Sequence, residues 1–253
     1  MAVRQYPVII TVRDRLSCLQ RLLSWLENAG QKNIWLCDNG SSYPPLVEFL
    51  NTTSHHVVFN KFNLGHRAPW LSGLVPQLGN EKYFIVSDPD VVPDENTPGD
   101  VFEIFEHMLH SNPKIDKVGF SLRLDDLPDH FIHKSDVITW ETQFWQEVYW
   151  PGFYKAPIDT TFAMYRPGGG HQNGNSLRSA PPYTALSSSK SGVIYWHGPH
   201  HVAHMSRTIG VLLSARTESN SSWVISLICP LYSLFDHPRI CLAGCNGLGR
   251  WLY

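Results

Sequence analysis

Two rhythms of apolar and polar residues alternate along the first 125 positions. Short apolar runs at residues 7–12, 34–37, 56–60, 82–86 and 118–122 predict the strands of a sheet covered on both faces. Between them, Leu19, Leu22, Leu23 and Leu26 recur at helical spacing and predict an amphipathic helix over 16–28, stopped by Gly30. A short helix is expected at 44–50, and Asp100 reads as the N-cap of a helix running through Phe102, Phe105 and Leu109 to Ser111. Strands alternating with helices predict an α/β fold with a mostly parallel central sheet flanked by helices.

The rhythm then loosens. Residues 134–146 read as a helix with a bulky face of Trp140, Phe144 and Trp145, and 159–165 as another strand, ended by Arg166-Pro167 and three glycines. Beyond Pro167 only Glu218 and Asp236 remain of the 22 acidic residues, and serine-rich loops and six histidines replace the alternation. Apart from a strand expected at 192–196, that stretch carries no pattern to assign. The chain is therefore divided into an α/β half over 1–125 and a less regular half over 126–253, within one continuous domain.

Composition narrows the classes of function. A 253-residue chain with 43% hydrophobic and 17% charged residues can bury a large core. Its formal net charge of −2, from 20 basic and 22 acidic residues, gives no footprint for nucleic acid. Five cysteines, odd in number and without C-x-x-C spacing, argue against a disulfide framework or a zinc ribbon and favour a reducing, cytoplasmic setting. Nothing at the N-terminus reads as a cationic apolar leader. The apolar tract at 223–235 is too short to cross a bilayer, which takes about 20 residues, but long enough for peripheral membrane contact.

Polar residues gather where strands end. In parallel sheets ligands bind beyond the carboxyl ends of the strands, and there the chain carries Thr11-Val12-Arg13, Asp38-Asn39, Asn63-Leu64-Gly65 and Asp88-Pro89-Asp90. On an extended backbone alternate residues point the same way, so Asp88 and Asp90 are expected to face one site. Two such carboxylates suit a hard divalent cation shared with phosphates. An acidic turn with Pro89 fixing the bend is the plainer alternative.

Taken together, these motifs resemble the GT-A-fold, family-2-like glycosyltransferases of bacterial and viral type. The likeness rests on the opening strand and its leucine-rich helix, on Trp35 to Ser42, on Asn63-Leu64-Gly65 and on Asp88-Pro89-Asp90, and it covers about residues 7–125. It implies a nucleotide-diphospho-sugar transferase fold and a metal-dependent transfer of a sugar from a nucleotide donor, UDP more than GDP or dTDP, to a glycan acceptor hydroxyl. By resemblance, Asp90 coordinates Mn²⁺ or Mg²⁺, with Asp88 nearer the ribose or reaching the metal through water. Thr11, Arg13 and Asp38 line the base and ribose pocket, Asn63 and Gly65 shape the loop above the nucleotide, and Arg67 offers a guanidinium to phosphate. His200, in the cluster His197 to His204, is a candidate to complete the metal shell, against a plain loop or a separate zinc site.

Inversion needs a carboxylate base, and Asp125, Asp126, Glu141 and Asp159 are the candidates, of which Asp125 and Asp126 follow the strand at 118–122 and could reach the sugar instead. Glu141 lies among aromatic residues, where burial would raise its pKa. The Glu-Asp pair that opens the acceptor-side helix in many family-2 enzymes is absent, which leaves the base and the stereochemical outcome open. Two rivals stand beside this reading: a catalytically silent module binding sugar nucleotide or glycan, and a sugar-phosphate nucleotidyltransferase, whose glycine-rich basic loop after the first strand is missing.

Overall fold

Apolar strands that alternate sides need helices on both, and the computed structural model supplies them. It describes residues 3–131, 134–158, 162–171 and 174–187, all within the first of two units of the chain, Met1–Ala203. The expected strand at 192–196 and the apolar tract at 223–235 lie outside the described residues. Among the described residues no helix is long and apolar enough to cross a membrane.

The first half follows its hydrophobic pattern closely. Strands β1 (Val8–Val12), β2 (Ile34–Asp38), β3 (His56–Phe59) and β4 (Phe84–Ser87) are parallel and lie in the order β3-β2-β1-β4. Helices α1 (Leu16–Asn28), α2 (Pro44–Thr52) and α5 (Val101–Ser111) cover one face of the sheet. There Leu19, Leu22, Leu26, Leu46, Phe102 and Phe105 pack with Val8, Ile10 and Val12. The intervening Ile9 points to the opposite face, where α3 (Ala68–Leu71) and α4 (Leu74–Leu78) bury Ala68, Leu74 and Val75 against it. That split of successive β1 residues is the period-two geometry of a strand.

The second half departs from expectation: the nine-stranded sheet is mixed, in the order β3-β2-β1-β4-β8-β5-β9-β7-β6. Strand β8 (Ala163–Tyr165) runs antiparallel between β4 and β5 (Lys117–Leu122), so it joins two parallel sets. A Cβ at Gly119 of β5 would overlap the carbonyl oxygen of Phe162, so a glycine is needed for the two backbones to lie this close. Beyond β5, the ten-residue β9 (Ser176–Ala185) pairs parallel to it across a register shift. The edge is a short hairpin, β6 (Val148–Trp150) and β7 (Phe153–Lys155), antiparallel to each other and to β9. Helix α6 (Lys134–Thr142) continues as a 3₁₀ turn over Gln143–Trp145, together spanning the predicted 134–146 helix.

Candidate functional site

In a sheet ordered β3-β2-β1-β4, the connections run one way from β1 and then return to its other side at β4. That reversal opens a crevice beyond the carboxyl ends of β1 and β4, where open α/β sheets bind ligands. Of the predicted residues, Thr11 and Arg13 lie at the end of β1, Asp38 at the end of β2, and Asp88 and Asp90 just past β4. Thr11 and Asp38 are buried, while Arg13, Asp88 and Asp90 are half-buried.

The two carboxylates are not carried on a continuing strand. β4 ends at Ser87, and the Val91 N–H closes a turn onto the Asp88 carbonyl at 3.5 Å, with Pro89-Asp90 at its tip. The period-two reason for their facing one way therefore does not hold. Asp90 turns instead toward the N-terminus of α1, where the Arg15 guanidinium pairs with its carboxylate across the crevice.

The loops around this crevice are tied to one another. Asp14, at φ 52°, accepts hydrogen bonds from the backbone N–H groups of Ser42 and Tyr43, both at 2.7 Å, joining the loops after β1 and β2. Asp38 accepts the backbone N–H of Ser41, three residues on, at 3.2 Å, which holds its carboxylate at the strand end. Buried Asn39 clasps the loop after β3: its amide donates to Asn63 Oδ1 at 2.7 Å and to the Gly65 carbonyl at 3.1 Å, and its oxygen accepts the Leu64 N–H at 2.6 Å. Asn63 and Gly65 thus sit beside Asp38, and Gly65 takes the positive φ of 68° that favours glycine. Arg67 is exposed in the following 3₁₀ turn. Its charge, after burial itself, helps hold the His171 imidazole below its usual pKa.

Further along the same edge, segment 91–97 crosses to the end of β9. Pro93 bridges Ala185, the Asp94 N–H donates to the Thr184 carbonyl at 2.9 Å, and the Leu186 N–H to the Val92 carbonyl at 2.9 Å. This brings Asp94 to Arg123, just past β5. The guanidinium pairs with Asp94 through Nη1 and grips Asp125 bidentately, at 2.8 Å from Nε and 2.7 Å from Nη2. Burial pushes the Asp94 carboxyl up, but hydrogen bonds from Asn96 and Arg123 outweigh it and leave the pKa below the usual range. Asp125 is lowered chiefly by its hydrogen bonds from Arg123. Asp126 belongs to this edge too, accepting the Ser187 N–H at 3.2 Å.

Glu141 goes elsewhere. It is buried on α6 and accepts from Arg178 Nη1 at 3.0 Å, near the start of β9. Arg178 also donates to the Pro157 carbonyl at 2.8 Å and lies over the Phe144 ring at 4.0 Å. Burial raises the Glu141 pKa, as its aromatic neighbourhood implied, though Arg178 pulls against the shift. Asp159 and His200 lie outside the described residues.

Sequence reasoning passed over Arg15, Asp94 and Arg123 as site residues. Arg15 had a signal, a second arginine two positions after Arg13 and directly before the helix; Asp94 and Arg123 had none.

No family model matches the sequence, and no curated protein matches it. Among solved structures it is similar to the mannosyltransferase PcManGT from Pyrobaculum calidifontis, determined in complex with GDP-Man and Mn²⁺. The identity is 12% and the TM-score 0.48, over 83% of this chain. The chain spans 62% of that protein's length.

Proposed function

We propose that the protein is a GT-A-type glycosyltransferase that moves a sugar from a nucleoside-diphosphate donor to an acceptor hydroxyl. The observation that carries the reading is the strand-order reversal between β1 and β4, with Asp88 and Asp90 beyond β4, Thr11 at the end of β1 and Arg13 and Arg15 beyond it. Asp38, Asn63 and Gly65 extend that crevice toward the ribose and base.

Two carboxylates without a third protein ligand fit a cation that keeps phosphate and water oxygens in its shell; among the described residues no group of three His, Cys, Asp or Glu side chains could hold one. Asp90 and Asp88 would hold it, with His200 as a further proposed ligand. When bound, Mn²⁺ or Mg²⁺ neutralises the diphosphate leaving group as a Lewis acid. Arg15 is a guanidinium at the mouth of the crevice and suits a phosphate bidentately, and Arg67 is the second cation proposed for that task. Thr11, Arg13 and Asp38 orient the nucleoside. Asp126 is the proposed base among the described residues, with Asp159 the other candidate. Glu141, whose carboxylate is engaged by Arg178, takes that role only if the pair opens.

The Arg15–Asp90 pair also favours a second reading, a silent module that binds sugar nucleotide without turning it over, because a guanidinium already neutralises the acid that the cation would use. Calorimetry with UDP, GDP and dTDP, with and without Mn²⁺, tests both. Metal-dependent binding of one nucleotide, lost in Asp90→Ala, is expected. Binding that ignores the metal and survives the substitution, with no hydrolysis of the sugar nucleotide, leaves the silent module; no binding at all removes both readings.

A further inference from the structure

Beyond the nucleotide crevice, the carboxyl edge holds a second cleft of about 500 Å³, lined among others by Asp94, Asn96, Arg123, Asp125, Trp145 and Pro182. Its size falls in the range of small-molecule sites, roughly 300–1,000 Å³. Its walls combine two chemistries. The apolar part of the lining is the Trp145 indole and the Pro181 and Pro182 rings. The polar part is a rigid array in which Arg123 is locked between Asp94 and Asp125, with Asn96 holding Asp94 through its backbone N–H at 2.8 Å and its amide at 3.0 Å.

The commitments of that array decide what enters. Among the described residues Arg123 is the one cation of the cleft lining; three of its five N–H donors serve the two carboxylates, and its Nε/Nη2 fork is taken by Asp125 rather than offered to a ligand carboxylate or phosphate. Among the described residues the lining carries one positive and two negative charges, so an anion would meet net repulsion. Ionised carboxylates only accept hydrogen bonds, so the ligand must donate them. Trp145 contributes its aromatic ring to the lining rather than its indole N–H, which is buried away from the cleft. A ring with an apolar face and several hydroxyl donors satisfies every wall.

We propose that this cleft is a subsite for a neutral sugar residue, selecting against acidic sugars. It rests on the transferase reading only in naming that sugar as part of the acceptor; the binding itself needs neither nucleotide nor metal.

The test is saturation-transfer NMR on the full chain without nucleotide. The probes are the methyl glycosides of glucose, galactose, mannose and N-acetylglucosamine, with methyl glucuronide and galacturonide as acidic counterparts. Neutral glycosides are expected to bind and the acidic ones not, and Trp145→Ala should weaken binding roughly tenfold. Asp125→Ala is the second variant, because Asp125 is 72% exposed and its loss spares the core. It returns two guanidinium N–H groups to the cleft and should bring acidic glycosides to within about tenfold of neutral ones. Acidic glycosides binding as well as neutral ones to the wild type overturns the proposal. So does an absence of glycoside binding, or binding that both variants leave unchanged. Nucleotide calorimetry on the same preparation shows whether the transferase reading stands or falls apart from it.

Discussion

Two arginine–carboxylate contacts on the β5–β9 side of the sheet look alike on paper and behave in opposite ways. Glu141–Arg178 is nearly closed to water, at 8% and 5% side-chain exposure. There burial dominates, the Glu141 pKa rises, and the pair ties α6, β9 and the Pro157 carbonyl together. Asp94–Arg123–Asp125 stands at the carboxyl edge, where Asp94 is buried but Arg123 is 32% and Asp125 72% exposed. There added donors outweigh burial, both carboxyl pKa values fall, and the groups line a cleft. Water access separates a strut from a binding surface. A buried charge with one partner owes its stability to that partner, whereas a half-exposed one keeps solvent as an alternative.

Removing the arginine from each contact tests that difference most directly. Arg178→Ala leaves Glu141 buried without its ion partner and is expected to destabilise the fold by about 3–5 kcal/mol in urea unfolding. Glu141→Leu combined with Arg178→Met should recover much of that loss; if the double variant is as unstable as the single one, the pair is not the reason. Arg123→Gln, by contrast, should cost only about 0.2–1 kcal/mol by the same measurement, because Asp125 can turn to water and Asp94 keeps its two hydrogen bonds from Asn96. A loss as large as that of Arg178→Ala would erase the distinction.

The smallest effect is in the pH dependence, and its sign differs between the two. Glu141 has a folded pKa above the ordinary 4.5, so between those values the native state holds the extra proton and stability falls as pH rises. Asp94 has a folded pKa below the ordinary 3.8, so its contribution is present above that value and is lost as pH falls through the lower one. Unfolding free energies measured across acid pH should lose the first slope in Glu141→Gln and the second in Asp94→Asn.

What was legible in the chain follows from how local each signal is. Helix α1 was read to its ends, because its leucines repeat at helical spacing and Gly30 closes it, and β1, β2 and α5 were read to within a residue or two for similar reasons. The strand-end positions of Asp38 and Asp88 followed from the apolar runs before them. Strand β9 was hidden by Pro181-Pro182 and its serines, which remove ladder donors and lower strand propensity. Helices α3 and α4 are four and five residues long, broken by Pro69, Gly73 and Pro76, too short for periodicity to show. The antiparallel insertion of β8 is a matter of spatial order, which no hydrophobic pattern encodes. The same holds for the site: Arg15 and Asp90 are 75 residues apart and Asp94 and Arg123 are 29, so only the assembled sheet introduces them.

The bare α-carbon of Gly119 has a consequence for handling the protein. β8 lies against β5 at the one position where β5 has no side chain, and the Phe120 N–H reaches the Phe162 carbonyl there at 3.2 Å. An alanine at 119 would press β8 off β5 and leave each with a raw, unpaired margin in the middle of the molecule. Such margins recruit strands from other chains, so the substitution would show itself as clumping during expression before it showed itself as lost activity.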